Sequence, residues 1–84
     1  MTDRSAILET VRDLLRAQCP DAGEIGPESD LAADLAIDSA AAMDLVMEVE
    51  ERYDLDIPLN ELADLRTVGD LVELVARRLE AREG

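Results

Sequence analysis

The chain has 84 residues, with eight arginines, no lysine, 21 acidic side chains and a formal net charge of −13 at pH 7. This negative charge excludes a nucleic-acid-binding surface, because phosphate backbones need arginine and lysine opposite them. The sequence also has no histidine, which excludes a histidine-activated serine or cysteine nucleophile and a histidine-ligated metal site. We therefore expect a protein that is not an enzyme.

The composition favours one small helical domain over residues 1–84. Because there is one tyrosine and no phenylalanine or tryptophan, the core must consist of aliphatic side chains, and the abundant alanine and leucine favour helices. No apolar run approaches the roughly 20 residues that span a membrane, and no signal peptide opens the chain. A single cysteine, Cys19, cannot form an internal disulfide, which fits a reducing cytoplasm. These features predict a cytoplasmic protein without membrane insertion.

The first predicted helix extends from Asp3 to Gln18. Its inward-facing apolar residues recur at helical spacing: Ile7, Leu8, Val11, Leu14 and Leu15. Thr2 or Ser5 is the expected N-cap, and Pro20 ends the helix.

A long acidic segment, residues 20–37, follows the first helix. Loops of this length are uncommon inside compact domains and are usually functional. We expect four apolar residues to anchor it to the core: Ile25, Leu31, Leu35 and Ile37. A short helical turn is predicted near residues 29–34.

The second helix is predicted to begin at Asp38 and Ser39, with Asp38 as its N-cap, and to end near Tyr53. The residues expected to face inward are Met43, Leu45, Val46, Met47, Val49 and Tyr53. Those expected to face water are Asp44, Glu48, Glu50 and Glu51.

All of the net charge lies in residues 20–65, since acidic and basic side chains balance in the two flanking segments. Like charges four residues apart destabilise a helix, so this pattern favours a binding face for basic partners, with a solubilising surface as the alternative.

Residues 54–58 break the chain, and Leu59 to Asp64 predict a short third helix. The sequence Thr67-Val68-Gly69-Asp70 has the form of a capping box with aspartate in its fourth place, so a last helix is expected to begin there. Its predicted inner residues are Val68, Leu71, Val72, Val75 and Leu79. The predicted fold class is all-α: a small bundle of three main helices plus one short helix, with a long loop between the first two.

Ser39 is the candidate modification site. It lies where the long loop meets a helix N-terminus, and the unsatisfied N–H groups and the dipole of such an end favour a bound phosphate. The sequence offers no neighbouring base, so another enzyme must supply any chemistry at this hydroxyl. Taken alone, the pair of Asp38 and Ser39 is more commonly a plain helix cap.

From Leu31 to Val75 the chain resembles the acyl carrier protein family. The similar segments are the attachment motif Leu35-Ala36-Ile37-Asp38-Ser39, the recognition-helix residues Met43-Asp44-Leu45-Val46-Met47 with Glu50, Glu51, Tyr53 and Asp54, the break Leu55-Asp56-Ile57-Pro58, and the helix start Thr67-Val68-Gly69-Asp70-Leu71. The resemblance implies that Ser39 carries a covalent 4′-phosphopantetheine arm, with Asp38 assisting its attachment.

The same resemblance implies a carrier that holds acyl intermediates as thioesters on this arm. It would deliver them to enzymes of fatty acid, specialised lipid or polyketide biosynthesis. The implied partners are a phosphopantetheinyl transferase, and acyl-transferring and condensing enzymes with basic docking patches. The implied partner-binding residues are Ala40, Asp44, Glu50 and Glu51, and a monomer is expected. An acyl chain is expected to insert beside Met43, Met47 and Val68, for which ordinary core packing is the alternative role.

Two residues depart from the family pattern. The family usually has glycine where Ala36 stands, and leucine or methionine where Ala40 follows the serine. A smaller residue after Ser39 removes apolar contact, so we expect a dedicated transferase or a specialised pathway. The absence of lysine beside abundant arginine suggests a GC-rich bacterial genome. The alternative function is an unmodified acidic helical protein-interaction module, in which Ser39 is only a cap.

Overall fold

The computed structural model describes residues 3–83, apart from the side chains of Ser39, Leu59 and Glu83. Its helices are α1 (Arg4–Gln18), α2 (Ser39–Tyr53), α3 (Leu59–Leu62) and α4 (Val68–Glu83). The only β-type pairing in the described residues is an isolated bridge between Asp30 and Thr67. The predicted all-α class is confirmed, with three main helices, one short helix and a long first connection.

A single aliphatic core lies where α1 packs against α4 and α2. The buried residues come from the three main helices, from the long loop and from the connection between α2 and α3: Ile7, Val11, Leu14, Leu15, Ile25, Leu31, Leu35, Ile37, Leu45, Val46, Val49, Ile57, Val68, Leu71, Val72, Val75 and Ala76. The four predicted anchors of the long loop are all among them, so the loop is packed onto the bundle. Of the helices in residues 3–83, none is both long and apolar enough to cross a bilayer.

Side chains cap the starts of α1 and α4. The Asp3 carboxylate accepts hydrogen bonds from the N–H groups of Ser5 and Ala6, at 2.9 and 3.4 Å. The prediction of Ser5 as the N-cap of α1 is therefore wrong, and Thr2 lies outside the described residues. At the start of α4, the Thr67 hydroxyl accepts from the Asp70 N–H at 3.1 Å, and the Asp70 carboxylate accepts from the Thr67 N–H at 3.1 Å. The predicted capping box is confirmed.

Ion pairs hold two neighbouring elements, α1 and α3, against α4. The Arg4 guanidinium of α1 donates to both carboxylate oxygens of Glu73, at 2.7 and 3.1 Å, and this hydrogen bond holds the pKa of Glu73 below its ordinary value. Arg78 of α4 donates to Glu61 of α3. Both pairs are partly exposed, so solvent screens them and each contributes little to the free energy of unfolding.

The C-terminus of α2 is held by two side chains that the sequence did not single out for this role. The Arg82 guanidinium of α4 donates to the carbonyl oxygens of Tyr53 and Asp54, at 2.8 and 2.7 Å. The half-buried Glu50 carboxylate accepts from the Ile57 N–H at 2.7 Å. The Arg82 contacts satisfy carbonyl groups that the end of α2 leaves without partners, and the Glu50 contact satisfies an N–H group of the connection to α3. The expectation that Glu50 faces water is wrong, because this carboxylate caps the connection between α2 and α3.

The long loop is pinned to the start of α4. Three backbone hydrogen bonds join the two segments: Gly69 N–H to Pro27 O at 2.8 Å, Leu31 N–H to Arg66 O at 2.9 Å and Val68 N–H to Ser29 O at 3.0 Å. Two of these donors are N–H groups of the first turn of α4, which have no acceptor within the helix. The loop therefore completes α4, and α4 fixes the loop.

A helical turn over residues 31–35 leads the chain from this junction to α2, close to the predicted turn. The Asp30 carboxylate caps it by accepting from the N–H groups of Ala32 and Ala33, at 2.9 and 2.8 Å. The turn closes at Ala36, whose φ of 53° lies in the left-handed region. Residues with a Cβ atom are strained in that region, and glycine is not.

We expect the substitution Gly69→Ala to destabilise the protein. A Cβ atom at position 69 would lie 2.9 Å from the backbone oxygen of Pro27, so the hydrogen-bonded junction must shift. The expected loss is about 1–2 kcal/mol in the free energy of unfolding, after allowance for the better helix propensity of alanine. Urea denaturation measures it. In the control Gly23→Ala, no atom lies within 4 Å of the new Cβ, and an equal loss in both variants would contradict this interpretation.

The substitution Ala36→Gly is expected to have the opposite effect. Glycine relieves the left-handed strain at φ 53°, so the free energy of unfolding should rise by about 0.5–1 kcal/mol. Thermal and urea unfolding measure the change. Ala33→Gly, in the preceding right-handed turn, is the matched control and should destabilise by about 0.5–1 kcal/mol. Destabilisation by Ala36→Gly would contradict backbone strain at this position.

Candidate functional site

The first turn of α2 is the candidate attachment site. Asp38 has extended backbone angles, φ −86° and ψ −177°, and its carboxylate accepts from the Ala41 N–H at 2.8 Å. Ser39 follows as the first residue of α2, and its side chain lies outside the described part of the structure. The neighbours Asp38 and Ala40 are both exposed. An enzyme approaching from solvent therefore reaches this helix start without opening the core.

The position of this helix start is fixed from the loop side. Ile37 directly precedes Asp38, is buried, and donates its N–H to Leu31 O at 2.9 Å. Leu31 in turn donates to the carbonyl of Arg66. A continuous chain of backbone hydrogen bonds thus runs from the start of α4, through the turn, to the residue before Asp38.

This helix end can accommodate a phosphate. The Ala42 N–H donates to the Asp38 carbonyl at 2.9 Å, and the Ala41 N–H donates to the Asp38 carboxylate. The N–H group of Ala40, in the same first turn, has no protein acceptor in the described residues. Unpaired N–H groups at a helix N-terminus attract anions. The small side chains at positions 40–42 leave room beside them, so the residues present fit a phosphate-linked group.

Three of the four predicted partner-binding residues share one exposed face of α2. Ala40, Asp44 and Glu51 are exposed and recur at helical spacing. Glu48 lies on the same face, which we call the acidic face. Glu50 is not on it, because it is half-buried and its carboxylate binds the Ile57 N–H.

The two methionines of α2 also lie on the outside. Met43 is 48% exposed and Met47 is 58% exposed, and they are the large apolar side chains that the described residues leave most open to solvent. The prediction that both face inward is therefore wrong. Met47 lies beside Asp44, Glu48 and Glu51, with which it lines a shallow surface pocket, so the acidic face has an apolar side chain next to its carboxylates.

A cavity of about 340 Å³ opens beside the start of α2. It is lined by residues of the long loop, of α2, of α3 and its following turn, and of α4: Asp30, Leu31, Ala32, Ile37, Asp38, Ala42, Leu45, Val46, Leu62, Leu65, Arg66 and Leu71. The volume lies within the range of small-ligand pockets, about 300–1,000 Å³. Of the residues predicted to line an acyl pocket, Met43 and Met47 lie on the surface and Val68 is buried in the core, so the structure does not bring these three together at this cavity.

The cavity is apolar inside and carries charge at its mouth. Three charged residues line the mouth: Asp30, Asp38 and Arg66. Because Asp38 directly precedes Ser39, the mouth lies beside the start of α2. The N–H groups of Ala33 and Ala32 bind the Asp30 carboxylate and, with the nearby Arg66 guanidinium, hold the pKa of Asp30 below its ordinary value. Sequence reasoning missed this site, because its residues come from four separate segments. The sequence contains one indication of the cavity: Leu62 and Leu65 lie three residues apart after the Pro58 break, a spacing that places two apolar side chains on one side of a helical turn.

Comparison with known proteins agrees with this geometry. The family model for phosphopantetheine attachment sites matches residues 5–75. The chain is 36% identical to the acyl carrier protein of Streptomyces coelicolor, over 98% of this chain and 91% of that protein. It is 46% identical over 52 residues to a Caulobacter vibrioides protein named "Probable acyl carrier protein", a match that spans 62% of this chain and 60% of that one.

The fold is similar to that of a solved acyl carrier protein. The Thermotoga maritima protein superimposes with a TM-score of 0.82 and 26% sequence identity, covering 94% of this chain and 93% of that chain. The family match extends from α1 into α4 and so includes the helix start, the loop that holds it and the cavity beside it. The chain therefore belongs to the acyl carrier protein family, whose members carry acyl groups on a covalently attached 4′-phosphopantetheine.

Proposed function

We propose that Ser39 is the attachment residue of 4′-phosphopantetheine and that residues 1–84 form one acyl carrier domain. The observation that carries this proposal is the exposed N-terminus of α2, where Ser39 is the first helical residue within the matched family domain. The two residues before it fix this helix start, because Ile37 is buried in the core and Asp38 caps α2. A rigid, exposed helix start gives a modifying enzyme access to this position of the chain from solvent.

The residues around Ser39 bind and orient the prosthetic group. The N–H groups of Ser39 and Ala40 and the positive end of the α2 dipole favour the negative charge of its phosphate. Asp38 keeps the helix start in place and assists attachment at the transferase. When bound, the group supplies a thiol that holds an acyl chain as a thioester. Cys19 does not serve this purpose, since its thiol is partly buried and donates to the Leu35 carbonyl at 3.4 Å.

The acidic face of α2 is the docking surface for partner enzymes. Asp44, Glu48 and Glu51 make no ion pair within the described residues, whereas Arg4 and Arg78 are engaged in contacts with α4 and α3. Arginine and lysine around a partner's active-site entrance would pair with these free carboxylates, and an apolar partner surface would cover Met43 and Met47. Exposed pairs of this kind contribute under about 1 kcal/mol each, which suits rapid docking and release.

The cavity beside the helix start shelters the acyl chain between encounters. Its walls include Leu45, Leu62 and Leu71, and its mouth includes Asp38, the neighbour of Ser39. An apolar chain gains free energy when such surfaces exclude water. This cavity takes the place of the pocket that the sequence predicted beside Met43 and Met47.

The carrier works as a cytoplasmic monomer and performs no catalysis of its own. The chain has no histidine, so the attachment of the arm and every later acyl transfer are supplied by partners: a phosphopantetheinyl transferase, and acyl-transferring and condensing enzymes of lipid or polyketide biosynthesis. The exposed Ala40 offers little apolar contact after Ser39, which favours a dedicated transferase. The alternative is an unmodified interaction module that uses only the acidic face.

Intact mass measurement tests the attachment. The protein is incubated with coenzyme A and a phosphopantetheinyl transferase, using several transferases including one from the native host. We expect a mass gain equal to one phosphopantetheine group in the parent protein and no gain in Ser39→Ala. Ser5→Ala removes another exposed serine near a helix start and should still be modified. A parent protein that gains no mass with any transferase would support the unmodified module.

The neighbouring glutamates of α2 provide a test of the docking face. Glu50→Ala removes the acceptor of the Ile57 N–H, so we expect the free energy of unfolding to fall by about 1–2 kcal/mol. Glu51→Ala should leave stability within about 0.5 kcal/mol but lower the transferase kcat/KM by about two- to fivefold at low salt. Urea denaturation and transferase kinetics measure the two effects. Equal losses of stability in both variants would contradict the division of roles.

A further inference from the structure

Arg66 is the one basic side chain that lines the cavity, and it stands at the mouth. Its side chain is exposed and makes no ion pair or hydrogen bond within residues 3–83. A guanidinium carries five N–H donors. The mouth of the cavity therefore has unused hydrogen-bond donors, and it is also lined by Asp38, the residue before the proposed attachment point.

The two carboxylates at the mouth are already engaged with the backbone. Asp38 accepts from the Ala41 N–H at 2.8 Å, where it caps α2. Asp30 accepts from the N–H groups of Ala32 and Ala33. Each carboxylate stabilises the start of a helical segment, because it accepts from backbone N–H groups that would otherwise have no partner. These bonds reach only the Oδ1 atom of each carboxylate, so Arg66 supplies the free donors at the mouth and the two Oδ2 atoms are acceptors beside it.

We propose that Arg66 gives this carrier a preference for acyl chains with a neutral oxygen close to the thioester, such as 3-oxoacyl chains. This inference rests on the proposed attachment at Ser39. The apolar tail of such a chain lies among the leucines of the cavity, and its oxygen meets the Arg66 guanidinium at the mouth. A saturated chain fills the same apolar space but leaves these donors unused.

The charge at the mouth distinguishes a neutral oxygen from an anionic one. Asp30 and Asp38 together carry two negative charges beside the single positive charge of Arg66. A free carboxylate on the acyl chain would be repelled by the two aspartates. A keto oxygen accepts a hydrogen bond from Arg66 without adding charge. The apolar interior likewise excludes an ionised group, because it offers no partner for one.

The test uses full-length protein loaded by a transferase from octanoyl-coenzyme A or 3-oxooctanoyl-coenzyme A. The rate at which hydroxylamine cleaves each thioester is divided by the rate for the same acyl group on free pantetheine, which gives a protection factor. We expect Arg66→Gln to lower the protection of the 3-oxooctanoyl chain by roughly five- to tenfold. Protection of the octanoyl chain should change less than about twofold. Arg16→Gln is the matched control, since Arg16 is exposed on α1 and does not line the cavity.

A second measurement needs no variant. In the parent protein, the NMR signal of the Arg66 Nε–H should shift between the octanoyl-loaded and the 3-oxooctanoyl-loaded forms, while the Arg16 signal should not. Loading is checked first by mass. A protein that gains no phosphopantetheine mass overturns the proposed function and this inference with it. A loaded protein with equal 3-oxooctanoyl protection in parent and Arg66→Gln, or with an unshifted Arg66 signal, overturns the role of Arg66 alone.

Discussion

The rest of the structure depends on the junction between the long loop and the start of α4. Pro27, Ser29 and Leu31 exchange backbone hydrogen bonds with residues 66–69. These bonds satisfy N–H groups that the first turn of α4 leaves without partners, and they fix the loop without any regular strand or helix. Gly69 permits the contact, because a Cβ atom there would lie 2.9 Å from the Pro27 oxygen. A chain of 84 residues has a small core, and this junction orders a segment that would otherwise be mobile.

The same junction explains how one end of α2 becomes a site. The loop leaves it through the turn over residues 31–35, passes the left-handed Ala36, buries Ile37 and reaches Asp38 in an extended conformation. Each of these contacts restricts the residues that follow, so the helix start has one position relative to the cavity.

The charged side chains fall into two groups, those that join elements of the fold and those that face solvent. Arg4, Arg78 and Arg82 contact groups on other elements, whereas the carboxylates on the outer face of α2 form no ion pair within the described part of the chain.

The sequence predicts the helices, the caps of α2 and α4, and the loop anchors, because these depend on local periodicity and on capping chemistry. It does not predict the features that depend on tertiary packing. Met43 and Met47 were expected inside because methionine is apolar, yet the helix wheel has fewer inward positions than α2 has apolar residues, and Leu45, Val46 and Val49 occupy them. Glu50 was expected in solvent because nothing in its local sequence shows that the chain returns to place the Ile57 N–H against it. The cavity and Arg66 were missed because their neighbours are distant in sequence.

Native-state amide hydrogen exchange tests the central role of the junction most directly. The amides of Leu31, Val68 and Gly69 are the donors of its three hydrogen bonds. If the junction holds the loop to α4 as one cooperative unit, these amides exchange with the same opening free energy as the buried Val75 in the middle of α4. Exchange of all three as fast as the exposed amide of Glu28, with Val75 still protected, would show that the loop is not held there and would contradict the account.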